Sequence, residues 1–261
     1  MKVEIATPIS HLFQIDADAE LISKRSDCLE FRDHSRNYKP SEQKLFHCEL
    51  QPIHEISEKN FDYLTRVRKE KVNLEVVSFH MASCFEKPKL EGKIYVTGDK
   101  KRTKKEMLEF AKINFKRIRQ IFGPKVKIAI ENNNYYPTEA YEIVCDPIFI
   151  NEIVTKNDIF FLFDIAHAQV SSYNMNTTYL RYCADLPLSR CIQVHICKSG
   201  TKDFRAFDAH DLPGPEEFKE LRRLTKQCAL LKYVTIEYYR DVKALVNVLV
   251  RLKDQLINDN E

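Results

Sequence analysis

The chain has 261 residues, of which 44% are hydrophobic and 30% are charged, and this composition excludes wholesale disorder. Its 41 basic and 38 acidic residues leave a net charge of only +3, whereas surfaces dedicated to nucleic acid usually carry a stronger basic excess. No apolar stretch approaches the length of about 18 residues that a membrane span requires, so neither nucleic acid nor a membrane is an expected partner.

Short apolar runs alternate along the chain with longer segments of helical periodicity, a pattern typical of a β/α barrel. Eight runs are predicted strands: Lys2–Ala6, Cys28–Phe31, Lys44–Cys48, Leu74–Phe79, Val126–Ile130, Ile159–Phe163, Ile192–His195 and Tyr233–Ile236. The predicted helices are Ala17–Lys24, Glu58–Lys69, Thr103–Ile121, Asp146–Val154, Pro215–Gln227 and Val242–Ile257. Eight strands in a chain close to the roughly 250 residues of such folds predict a single α/β domain, a (β/α)8 TIM-type barrel spanning residues 1–261.

Two segments interrupt this alternation. Arg32–Gln43 is too polar and too short to predict a helix. Phe85–Arg102 contains a proline, two glycines and many lysines, and it is expected to form a long loop over one face of the barrel.

The eight cysteines are scattered and none forms a C-x-x-C pair, which predicts free, mostly buried thiols in a reducing compartment. The start of the chain, Met1–Ile9, mixes charged and polar residues into its apolar ones and does not resemble a signal peptide. A cytoplasmic location is therefore expected. No signature nominates Cys84, Cys197 or another cysteine as a nucleophile, and a buried thiol is the default for each.

Six successive predicted strands are each followed, within about a residue, by a histidine or an acidic residue. Because every strand of a parallel barrel ends at the same rim, these side chains are expected to meet at one mouth. The candidate metal ligands are His47, His80, Glu131, Asp164 with His167 three residues on, His195, Asp208 and His210 in the loop that follows, and Glu237.

Nine such residues at one rim predict a multinuclear metal site. Crowded carboxylates repel one another and are costly to bury unless cations neutralise them, and a mixed set of imidazoles and carboxylates suits zinc, iron or manganese rather than calcium. In Asp208-Ala209-His210 the two ligands lie on one side of an extended segment, because side chains alternate with period two. His54 competes with His47 for the first ligand position, while His11 and His34 are expected to be structural or surface residues.

The ligand order His, His, Glu, Asp-x-x-His, His, Asp-x-His, Glu resembles that of the AP-endonuclease/xylose-isomerase-like barrel superfamily. The surrounding sequence is most similar to the multinuclear non-heme iron-dependent oxidases, from about His47 to Glu237. It resembles them in Glu131-Asn132, in Asp164 followed by a Val-Ser-x-x-Asn turn over Val170–Asn174, and in Phe207-Asp208-Ala209-His210. His167 departs from the asparagine of many oxidases and matches the endonucleases instead.

The resemblance implies two or three metal ions, iron in an oxidase, with zinc or manganese as alternatives. One metal would take His47, His80 and Glu131. A second would share Glu131 and take Asp164, His195 and Glu237, and these four are the candidate catalytic residues. The third would take His167, Asp208 and His210.

The function that the resemblance implies is an oxidoreductase that uses O2 to modify cysteine residues of a peptide, with a separate partner protein delivering the peptide. Two alternatives remain open. One is a zinc-dependent AP endonuclease-like phosphodiesterase, and the other is a metal-dependent sugar isomerase or epimerase. A metal-binding protein without catalytic activity is the least supported possibility.

Overall fold

A computed structural model describes residues 3–35 and 43–258. Three parts of the sequence predictions lie outside the described residues. These are Lys2 of the first predicted strand, residues 36–42 of the polar segment, and the side chain of His34.

Strands and longer helices alternate along most of the described chain. They are β1 (Glu4–Pro8), α1 (Asp16–Arg25), β2 (Cys28–Arg32), β3 (Gln43–Cys48), α2 (Glu58–Glu70), β4 (Val76–Phe79), β5 (Pro88–Glu91), β6 (Ile94–Gly98), α3 (Lys104–Phe122), β7 (Lys127–Glu131), α4 (Pro147–Lys156), β8 (Phe160–Asp164), α5 (Ile165–Asn174), α6 (Tyr179–Ala184), β9 (Cys191–Ile196), β10 (Lys198–Lys202), β11 (Arg205–Asp211), α7 (Pro215–Gln227), β12 (Tyr233–Ile236) and α8 (Val242–Asn258). Short 3-10 turns occupy His11–Phe13, Asp33–Ser35 and Leu188–Arg190.

Eight parallel strands close the barrel in the order β1, β2, β3, β4, β7, β8, β9 and β12, with β12 pairing back to β1. All eight predicted strands therefore exist, and the (β/α)8 prediction is confirmed. Buried apolar side chains such as Leu45, Ala129, Leu162 and Tyr233 form a compact cluster. Each lies two or four residues before a predicted ligand on its strand, so the inward face of the barrel changes from apolar to polar toward the C-terminal rim.

Helix α8 buries an apolar stripe, in which Leu245, Leu249 and Leu252 are fully buried. Helix α3 begins with a capping box in which the Thr103 hydroxyl and the Glu106 carboxylate satisfy each other's backbone N–H groups.

Three local predictions were wrong. Residues 85–102 do not form an irregular loop, because β5 and β6 pair in a short antiparallel hairpin whose strands have no buried face and so no apolar alternation. Asp208 and His210 lie not in a loop but in β11, which pairs with β10 in a second hairpin. Val170–Asn174 is not a turn but the end of α5, which shows no one-sided apolar stripe because nearly every side of it is buried.

Across residues 3–35 and 43–258, no helix combines the length and the apolar character needed to cross a bilayer. The eight cysteines are free and buried, as the sequence predicted. A cytoplasmic location and a single domain over residues 1–261 stay predictions.

Candidate metal centre

The nine predicted ligands meet at the C-terminal rim of the barrel. His47, Glu131, Asp164 and His195 belong to the last two residues of β3, β7, β8 and β9, and His80 and Glu237 come directly after β4 and β12. The remaining three come from elements that follow these strands: His167 in the first turn of α5, and Asp208 and His210 in β11. Ion-pair distances below 4 Å link all nine into one network.

Glu131 is the centre of this network, and its two oxygens face different groups of imidazoles. Oε2 lies 3.4 Å from Nε2 of His47 and 3.2 Å from Nδ1 of His80. Oε1 lies 3.1 Å from Nδ1 of His195 and 3.8 Å from Nδ1 of His167. One carboxylate therefore connects two neighbouring groups of donors.

Glu237 connects two groups in the same way. Its Oε1 lies 3.3 Å from Nδ1 of His195, and that nitrogen is 3.9 Å from Oδ2 of Asp164. Its Oε2 lies 3.2 Å from Nε2 of His210, which is 2.9 Å from Oδ2 of Asp208. The sequence assigned Glu237 to one group only, and the structure shows that it contacts two.

The outer nitrogens of the imidazoles are held by neighbouring polar groups. Nδ1 of His47 shares a 2.8 Å hydrogen bond with the Ser78 hydroxyl, and Nδ1 of His167 donates to the Asn132 carbonyl at 2.8 Å. The remaining Nε2 of His167 lies 3.5 Å from Oδ2 of Asp208. Such contacts fix the tautomer and leave the other ring nitrogen available for a metal.

A buried glutamate that the sequence analysis missed performs the same task for His195. Nε2 of His195 donates to Oε2 of Glu30 at 2.9 Å, and Gln193 donates to the same oxygen at 2.5 Å. Arg32 lies 2.5 Å from the other oxygen of Glu30 and also binds Glu237. The available signal was that Glu30 and Arg32 are charged residues at alternate positions of β2, whose other residues are apolar.

Cys197 is a second functional candidate that the sequence analysis passed over. Its thiol is fully buried and donates to Oδ1 of Asp208 at 3.4 Å. The sulfur also lies within 4.8 Å of a carboxylate oxygen of Asp164 and of Glu237. The available signal was its position two residues after His195, because alternate residues along an extended chain point to the same side.

His54, the competitor of His47, and His11 both lie outside the network. Nε2 of His54 donates to the carbonyl of Ser83 at 2.8 Å, so the structure brings His47 and not His54 into the network. His11 is exposed in the first 3-10 turn.

Burial shifts the protonation of the cluster. It raises the pKa of Asp164 to about 7 and lowers the pKa of His80 to about 3. Burial alone would also raise the pKa of Glu131, but the His47 and His167 imidazoles hold it well below its usual range. The carboxylates therefore depend on positive charge from their neighbours, which a bound cation would supply.

Three buried polar atoms test whether the residues fit a metal. Oδ2 of Asp164 and Nδ1 of His195, which lie 3.9 Å apart, have no hydrogen-bond partner, and neither has Oε2 of Glu131 on the side of His47 and His80. One donor atom from each of Glu131, Asp164 and His195 lies within 4.8 Å of the others. Buried polar atoms are nearly always paired, so this convergence calls for a shared partner. A donor set of imidazole nitrogens and carboxylate oxygens fits zinc, iron or manganese.

The cluster is most exposed at His80 and His210. The side chains of His80 and His210 are 27% and 39% exposed, whereas those of the other seven predicted ligands are at most 9% exposed. Among the described residues, these two histidines are therefore the most accessible members of the network.

The comparison with protein families gives one match over most of the chain. The model described as the RiPP precursor modification enzyme MbnB/TglH/ChrH matches residues 53–254. A UPF0276 protein of Caulobacter vibrioides is 27% identical over 89 residues, which are 34% of this chain. The match spans about a third of the length of that curated relative, 32%.

Solved structures with the same fold include two barrels of low sequence identity. The apo form of 3-keto-D-glucoside 4-epimerase, YcjR, from E. coli has a TM-score of 0.62 at 14% identity, covering 97% of this chain and 100% of that one. A xylose isomerase-like TIM barrel protein from Mycobacterium smegmatis, in complex with magnesium, has a TM-score of 0.61 at 10% identity, covering 98% and 97%. At these identities the likeness shows the xylose isomerase-like fold alone.

Proposed function

The chain belongs to the MbnB/TglH/ChrH family of RiPP precursor modification enzymes. We propose that it is a multinuclear iron-dependent oxidase that uses O2 to modify cysteine residues of a peptide. This family corresponds to the oxidases that the ligand order resembles, so the predicted family is confirmed. The observation that carries the proposal is the convergence of donor atoms of Glu131, Asp164 and His195 within the nine-residue network, where Oδ2 of Asp164 and Nδ1 of His195 are buried without a hydrogen-bond partner.

The proposal places three neighbouring cation positions among the nine residues. His47, His80 and Glu131 would hold the first cation. Glu131, Asp164, His195 and Glu237 would hold the second, and His167, Asp208 and His210 the third. The contacts of Glu237 with both His195 and His210 support a further role, in which its carboxylate bridges the second and third positions.

The protein's own contribution is to orient donors and to balance charge. The hydrogen bonds of His47, His167 and His195 to Ser78, Asn132 and Glu30 direct one ring nitrogen of each toward the cluster. Iron held by such donors supplies redox chemistry toward O2, which zinc cannot provide because it has no accessible redox change.

The proposed substrate reaches the centre from the side of the two exposed histidines. Since His80 and His210 are the exposed members of the network, a peptide cysteine would enter between them. A separate protein that delivers the peptide remains part of the proposal, as it was expected from the sequence.

The test compares Asp164→Asn with Asp146→Asn. Both aspartates cap a helix, Asp164 by accepting from the backbone N–H of His167 at 2.7 Å and Asp146 from that of Ile148 at 3.0 Å. Asparagine also caps helices well, so each variant is expected to keep its helix. Only Asp164→Asn removes a charge from the cluster, and only it should reduce bound iron and the peptide-dependent uptake of O2.

The assay measures O2 consumption by iron-loaded and zinc-loaded protein with a cysteine-containing peptide, beside cleavage of an abasic DNA duplex. Uptake by the iron form alone, lost in Asp164→Asn and kept in Asp146→Asn, is the expected result. Cleavage of the duplex by the zinc form without O2 uptake by the iron form would replace the proposal with a phosphodiesterase, where Lewis acidity is sufficient.

A further inference from the structure

We propose that Cys197 is a thiolate ligand of the metal centre, a donor beyond the nine histidines and carboxylates. The inference rests on the proposed metal centre and adds sulfur to its donors. It would make the centre of this protein a mixed nitrogen, oxygen and sulfur site.

Position along the chain brings the sulfur to the cluster. Gln193, His195 and Cys197 are alternate residues, and the first two point into the barrel, where both contact Glu30. The period of two then directs Cys197 inward as well, one step closer to the mouth than His195. The hydrogen bond from its thiol to Asp208 agrees with this direction.

The surroundings of the sulfur fit a metal position. Donor atoms of Asp164, Cys197 and Glu237 all lie within 4.8 Å of one another, and Oδ2 of Asp164 is buried without a hydrogen-bond partner. A ligand shell with metal–sulfur bonds of about 2.3 Å and metal–oxygen bonds of about 2.1 Å keeps its donors within such distances. The sulfur therefore shares a candidate cation position with two carboxylates that are already assigned to the second metal.

Coordination needs only the loss of one proton. The thiol proton, which Oδ1 of Asp208 accepts in a hydrogen bond, leaves to solvent as the sulfur lone pair forms the bond to the cation. No electron is transferred and no oxidant is required. Thiolate is the form of cysteine that binds metals, and it suits iron, zinc and cobalt in their divalent states.

The experiment uses Co²⁺ as a probe, because a thiolate bound to Co²⁺ gives an intense charge-transfer absorption in the near ultraviolet. The full chain is loaded with Co²⁺ under anaerobic conditions as wild type, Cys197→Ser and Cys191→Ser. Cys191 is the matched control, since it is a fully buried cysteine at the start of β9, whereas Cys197 directly follows the end of that strand; the Cys191 thiol donates to the Gln193 carbonyl. The absorption should be present in wild type and Cys191→Ser and lost in Cys197→Ser.

X-ray absorption of the wild-type zinc form supplies a second measurement that needs no variant. A sulfur neighbour at about 2.3 Å is expected, and its absence would overturn the inference even if Cys197→Ser failed to fold. Bound Co²⁺ without the charge-transfer band, or a band that persists in Cys197→Ser, would also overturn it while leaving the metal centre intact. A wild-type protein that binds no Co²⁺ would overturn both this inference and the metal centre.

Discussion

Glu30 provides the sharpest test of how the barrel supports its candidate metal centre. Its carboxylate accepts the Nε2–H of His195 on one oxygen and faces Arg32 on the other, and it is completely buried. Glu30→Gln keeps the side-chain size but places an amide N–H₂ group against one of these two partners. Either the Arg32 guanidinium meets a second donor, or the proton of His195 moves to Nδ1, the nitrogen that faces Glu131 and Glu237.

The expected magnitude follows from the role of such supporting contacts. Removing a hydrogen-bond partner behind a metal-bound histidine typically weakens metal affinity by about 10- to 100-fold. That corresponds to about 1.4 to 2.7 kcal/mol of binding free energy. We expect Glu30→Gln to fall in this range because His195 contributes one of the three unpartnered buried atoms of the cluster.

The assay is a competitive zinc titration against a chromophoric chelator, with thermal unfolding to verify that each variant folds. Glu217→Gln is the matched control. Glu217 is also a buried glutamate, but its carboxylate accepts from the Gly214 backbone and from Gln169 and has no imidazole partner in the described contacts. Its zinc affinity should equal that of wild type. A folded Glu30→Gln protein that binds zinc as tightly as wild type would refute the reasoning.

Two further predictions concern the metals directly. Glu131→Gln and Asp208→Asn should each lower the metal content found by elemental analysis while the circular dichroism spectrum stays unchanged. Both substitutions remove a charge at the mouth of the barrel and not in its packed layers. Equal metal content in the wild type and both variants would contradict this prediction. Chelation should lower the melting temperature and added metal should restore it, since a ligand at 100 times its Kd stabilises the folded state by about 2.7 kcal/mol. Identical melting curves with and without chelator would speak against a metal bound to the folded state.

The meeting of the candidate ligands at one rim could be predicted from the sequence because the relevant signal is local. A histidine or acidic residue directly after an apolar strand is visible in the sequence, and a parallel barrel brings every such position to one rim. His47, Glu131 and Glu237 were found in this way. The two hairpins and helix α5 were not found. The hairpin strands have almost no buried residues and α5 is buried on nearly every side, so neither shows a one-sided period.

The sequence by itself determined the alternation of strands and helices and the order of ligands at the rim, since both depend on neighbours along the chain. Only the tertiary structure decided which atoms face one another. Glu30 and His195 are 165 positions apart, and closure of the barrel makes them partners. The same closure divides the Glu131 oxygens between two groups of imidazoles, and the β10–β11 hairpin brings the thiol of Cys197 beside Asp208. Contacts between distant strands depend on register and side-chain direction, which no local pattern specifies.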